Sequence, residues 1–93
     1  MAEEFARLVA EWKAARTPTS SARRMAEHPA YQAIIRMGLP VVPLILDELQ
    51  REPDHWFLAL TEISGATPVP QESRGNLTAM TEAWVTWWRE ANR

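Results

Sequence analysis

The sequence predicts an all-α domain, a compact bundle of five to six helices. Three observations carry that expectation. Apolar residues recur at helical spacing in successive segments, prolines and glycines fall between those segments, and no segment shows the alternation of a half-buried strand. Ninety-three residues make one domain, with hydrophobic residues at 46% and charged residues at 24%. A chain of that length buries roughly 60–65% of its unfolded surface, enough for one modest core.

The first helix is expected over residues 2–16. Phe5, Leu8, Val9 and Trp12 lie at i, i+3, i+4 and i+7 and make one apolar stripe. "TPTSS" interrupts it, since Thr17 precedes a proline and is pushed out of the helical region. Ser20 or Ser21 offers a cap for a short helix over about 21–27. His28 precedes Pro29, which fits the first turn of the next helix. Tyr31, Ile34 and Ile35 supply that helix's apolar side, and Gly38 is expected to stop it as a left-handed cap.

In "GLPVVPLILDELQREP", Pro40 and Pro43 suit an entry loop and first turn, ahead of Ile45, Leu46 and Leu49. Valine and isoleucine in "VVPLIL" favour a strand, but the prolines and the helical continuation into "DELQRE" argue against one. Pro53 and Asp54 restart the chain, with Asp54 expected as a cap or first-turn acid. Phe57, Leu60 and Ile63 then keep helical spacing until Gly65. "ATPVPQESRG" reads as one long loop, and Asn76 as the N-cap of a last helix faced by Leu77, Met80, Trp84 and Trp87 or Trp88.

"GLPVVPLILDEL" resembles the first helix of a HEAT-type repeat through Gly38, Val41, Val42, Pro43, Ile45, Leu46 and Leu49. "ALTEISG" resembles the end of the second helix through Ala59, Leu60, Ile63 and Gly65. The arginine usual early in that second helix is missing, and His55–Phe57 lie near its place. The resemblance implies a HEAT-like helix pair over about 40–64, whose faces the flanking helices must cover. The string "HPAYQAIIRMG … PDHWFLAL … GATPVP … RGN … AW" is also similar to a family of small bacterial proteins of unassigned function.

Charge and composition exclude several functions. Net charge is −2, and acidic residues match or outnumber basic ones in both halves of the chain. No domain-scale positive field is therefore available to hold a phosphate backbone. Arg16, Arg23 and Arg24 form the one basic cluster, which reads first as a solvated helix face and only second as a local phosphate contact. No cysteine is present, which excludes a disulfide framework or a thiolate zinc site and fits a cytoplasmic setting. The first twenty residues begin acidic and amphipathic, the reverse of a signal peptide, and the longest apolar run is too short to cross a bilayer.

Catalytic signatures are absent: no nucleophile elbow, SxxK pair, P-loop or paired-histidine zinc motif occurs. His28 and His55 are the two histidines. A small enzyme built on either is an alternative reading, with Asp54 beside His55 as its acid/base partner. Adjacent residues at a helix start seldom face each other, so a turn role for His28 and an exposed or turn-satisfying one for His55 are the simpler readings. Asp47, Glu48 and Glu62 fall at solvated helix positions. No cofactor or metal is implied.

Five tryptophans stand out, three of them within positions 84–88. Trp87 and Trp88 diverge by about 100° around a helix, so one stripe of rings can enter the core but not all three. Core packing is favoured for Trp12, Trp56 and Trp84. The expected function is a small protein-interaction module: an adaptor, inhibitor or antitoxin-like partner, or a self-associating protein. Its candidate partner-binding residues are Trp84, Trp87, Trp88, His55 and Trp56. A nucleic-acid accessory role through Arg16, Arg23, Arg24 and Arg36 is the other alternative.

Overall fold

The computed structural model describes residues 1–15, 22–52 and 54–91, and the side chains of Ala22 and Arg23 fall outside that description. The proposed Ser20 or Ser21 cap and the Arg16 end of the first helix therefore lie outside the described residues. Among the described residues the chain is all-α: α1 (Ala2–Ala14), α2 (Ala22–Glu27), α3 (Pro29–Arg36), α4 (Val42–Arg51), α5 (Phe57–Ser64) and α6 (Leu77–Ala91). Short 3-10 turns, Leu39–Val41 and Gln71–Ser73, lead into α4 and punctuate the loop before α6.

The α1 stripe is buried as its spacing requires, with Phe5, Leu8, Val9 and Trp12 facing the core. Glu3 and Glu4 lie at the positive end of that helix and Lys13 in its last turn, where each sign is favoured. The Trp12 indole N–H donates to the Met25 carbonyl at 2.7 Å, tying α1 to α2. Gln32 donates to the Ala26 carbonyl at 2.7 Å and holds α2 against α3. At the head of α3, His28 Nδ1 accepts the Ala30 amide at 3.0 Å, the turn role expected of it.

The end of α3 departs from expectation. Gly38 has a positive φ of 76°, but its ψ of −160° is extended rather than left-handed helical. It redirects the chain into the turn Leu39–Val41, whose Val41 amide donates to the Gly38 carbonyl. The helical stretches Pro29–Arg36 and Leu39–Arg51 consequently meet at 107°. No single helix among the described residues is long and apolar enough to cross a membrane. Gly65, by contrast, does end α5 in the left-handed conformation, φ 72° and ψ 6°.

Helix α3 is the hub, packing against α1, α2 and α5, while α4 packs against α6. The HEAT-like segment corresponds to α4 and α5, which touch, although each packs more extensively on another helix. At the centre lies an aromatic knot. The Trp56 ring stacks on Tyr31 at 5.5 Å with planes 4° apart, and meets Trp12 at 4.5 Å and Phe5 at 6.1 Å. Trp56 is 0% exposed, and its indole N–H finds no acceptor among the described residues. Burying so large a ring supplies core volume that a chain of this length has few residues to provide.

The start of α5 corrects the expectation for Asp54. Its carboxylate accepts the neighbouring His55 amide at 2.8 Å, and the N-cap position of α5 falls to Trp56, which makes no side-chain cap bond. The acceptor for α5 is instead the Tyr31 hydroxyl, which accepts the Ala59 amide at 2.9 Å and donates its own proton to the His55 carbonyl at 2.9 Å. Burial pushes the Tyr31 phenol up to about 12, against the opposing effect of the Ala59 hydrogen bond. Asn76 caps α6 as expected, its side chain accepting the Ala79 amide at 3.0 Å.

Candidate functional site

The five candidate partner residues separate by burial. Trp56 lies in the knot and Trp84, 2% exposed, on the buried side of α6, so neither can touch a partner. Both are corrections to the candidate site, and the reason is volume: the core needs their rings. Trp87 and Trp88 remain half-buried, and His55 is exposed. Trp84 meets Trp87 edge-on at 5.4 Å, so the buried ring braces Trp87, which in turn meets Trp88 at 6.1 Å.

Trp87 stands between two grooves. The first, about 480 Å³, is apolar: Leu39, Pro40 and Pro43 form one wall, Trp87, Trp88 and Ala91 the other. Leu39 is 53% exposed there and extends the apolar surface of the groove wall. The second groove, about 470 Å³, runs between Pro68 and Pro70 of the loop and the outer side of α6. On that side Ala79, Ala83 and Trp87 make one i, i+4 row, with Glu82, Thr86 and Glu90 exposed in the row beside it. The prolines of the loop, read from sequence only as a stiff connection, are thus half of a groove wall.

His55 is not beside this face in any contact of its side chain. Its backbone carries its structural role, through Tyr31 and Asp54, and its imidazole has no hydrogen bond or ion pair among the described residues. His28 has Nδ1 committed to the Ala30 amide. Asp54 holds the His55 amide rather than the ring, so the acid/base pair considered from sequence is not assembled. Among the described residues, no three His, Asp or Glu side chains gather as metal ligands.

Sequence reasoning misplaced one acid. Glu48 is not solvated but 7% exposed, and it bridges Lys13 of α1 at 2.9 Å and Arg51 at 2.7 Å. Lys13 also reaches Glu52 at 3.1 Å. Burial alone would push the Glu48 carboxyl up, but the hydrogen bonds from Arg51 and Lys13 outweigh it and hold the group below its ordinary value. Burial likewise works against the Lys13 ammonium, and hydrogen bonds to Glu48 and Glu52 outweigh it, holding the group above its ordinary value. This cluster latches α1 to α4 at one end of a groove floored by Phe5, Val9 and Leu44.

Of the basic cluster, Arg16 and the side chain of Arg23 lie outside the described residues; Arg24 is exposed, as is Arg36. Comparison with protein-family models, curated proteins and solved structures finds no match to this chain.

Proposed function

We propose that this chain is a protein-interaction module, of the adaptor, inhibitor or antitoxin-like kind, that engages its partner through the outer side of α6. The observation that carries the reading is the division among the tryptophans. Three are consumed by the core, whereas Trp87 and Trp88 stay half-buried beside an exposed Leu39 and a rigid apolar groove. Large rings held in place, with part of their surface in water, are the side chains that dominate binding hot spots. The turn Leu39–Val41 and the core ring Trp84 fix both walls before any partner arrives, which limits the ordering cost of association. The proposal carries with it the cytoplasmic, bacterial setting expected from the sequence.

Affinity capture from the native cell, with nuclease treatment, tests the reading alongside the solution mass of the purified protein. A stoichiometric protein partner lost on Trp87→Ala or Trp88→Ala supports it. A dimer dissolved by the same substitutions assigns the face to self-association. A monomer that captures nothing at wild-type sequence overturns the reading.

A further inference from the structure

The two grooves flanking Trp87 differ in charge, and the difference specifies a partner. Neither is lined by a lysine or arginine. The proline-walled groove carries Glu82 and Glu90, two turns apart and therefore about 12 Å along the helix. Neither carboxylate has an ion-pair partner among the described residues, in contrast to Glu48 and Glu11, which have theirs. Glu90 also occupies the last turn of α6, where the helix dipole disfavours an acid and the carbonyl ends add to the negative field. Arg89, the basic residue of that turn, projects about 100° around the helix from Glu90; it lies within about 20° of Glu82's direction but two turns away, and it does not line the groove.

We propose that this face receives a basic amphipathic segment of another protein. A large apolar side chain fills the groove between Leu39, Pro43 and Trp88, and a lysine or arginine lies over the Trp87 ring beside Glu82 and Glu90. The inference rests on the reading of α6 as a partner face and adds the partner's chemistry. A cation above an indole is attracted by the ring and, here, by flanking carboxylates that make no ion pair among the described residues. The small Ala79 and Ala83 let the partner's backbone approach the helix between the proline wall and the acidic row. A second copy of this chain fits poorly. A two-fold contact through this face would bring both copies' Glu82 and Glu90 together without a cation from either groove. A phosphate backbone or an anionic lipid surface meets the same repulsion.

The test is selection of random yeast-displayed peptides on the full-length protein at low salt, followed by affinity measurement on wild type, Trp87→Ala and the Glu82→Gln/Glu90→Gln double variant. The double variant changes only exposed side chains, so it stays informative even where Trp87→Ala loosens the fold. The expected result is enrichment of peptides that pair an apolar anchor with lysine or arginine. Their binding should weaken about tenfold in the double variant at low salt, with the difference shrinking at high salt, and should be lost in Trp87→Ala. Enriched peptides that are neutral or acidic, lost in Trp87→Ala but indifferent to the double variant, overturn the basic chemistry while leaving the partner face. Peptides indifferent to all three substitutions, or no enrichment, overturn both. Concentration-dependent dimerisation through Trp87 that is insensitive to salt gives the face to a second copy and also overturns the inference.

Discussion

The Tyr31 hydroxyl caps α5 from another helix, lying 2.9 Å from the Ala59 amide across 28 residues of sequence. One oxygen accepts from α5 and donates to the His55 carbonyl, so a tertiary contact does what a local Asx or Ser cap does elsewhere. The stacked Tyr31–Trp56 pair holds the ring in place for this role.

Tyr31→Phe therefore leaves the buried Ala59 amide and the His55 carbonyl without partners while keeping the stack. Its expected cost is about 1–3 kcal/mol, the penalty of orphaned buried polar groups. Chemical denaturation reads it, and hydrogen exchange should show faster opening at the first turn of α5 than at α1. A change below about 0.5 kcal/mol would show that the hydroxyl bonds contribute nothing net.

The same phenol predicts an alkaline limit. Its folded value, about 12, stands above the ordinary 10 of the unfolded chain. The stabilisation is fully present below pH 10 and is lost as the pH rises toward 12, up to about 2–3 kcal/mol. Lys13, also held above its ordinary value, adds to the fall. Tyr31→Phe should flatten the pH dependence of stability in this window without abolishing it. A wild-type protein equally stable at pH 9 and pH 12 would contradict the assignment.

The latch between α1 and α4 gives the acid limit. Glu48 is held below its ordinary value, so its contribution is complete above about pH 4.3 and lost as the pH falls through the folded value. Lys13→Met keeps the aliphatic stem but leaves Glu48 with Arg51 alone. It should destabilise the protein by about 1–2 kcal/mol at neutral pH, and by progressively less in acid. A wild-type-minus-variant difference that stays constant from pH 7 to pH 2 would sink this account of Glu48.

The two histidines should separate cleanly. His28→Ala removes the N-cap of α3 and should cost about 1 kcal/mol. His55→Ala removes only an exposed ring and should fall within about 0.5 kcal/mol of wild type. Thermal melting of both variants checks the pair, and the reverse order would mean that the cap assignment is wrong.

What the sequence made legible was local. The i, i+3, i+4, i+7 stripe of α1, the Asn76 cap, the Gly65 stop and the His28 turn are each written within one or two helical turns, and the structure has all four. What it hid was long-range. Asp54 has the residue type of a cap, but Tyr31 of α3 holds the position, and no local pattern announces a donor–acceptor pair so far apart. Glu48 looks solvated by its helical position until α1 brings Lys13 against it. The face around Trp87 was half visible. The divergence of Trp87 and Trp88 around one helix is a sequence fact, whereas the walls at Leu39–Pro43 and Pro68–Pro70 come from other parts of the chain. Trp56 was drawn into the candidate site by its neighbours in "DHWF", although burial reserves it for the core.

The most direct test of the central claim is oxidative footprinting of the five tryptophans, comparing purified protein with protein in the cells that make it. Trp12, Trp56 and Trp84 should be unreactive in both settings, being at most 2% exposed. Trp87 and Trp88 should be oxidised in the purified protein and protected in the cell, where a partner covers them. Equal reactivity of Trp87 and Trp88 in the two settings would contradict the account.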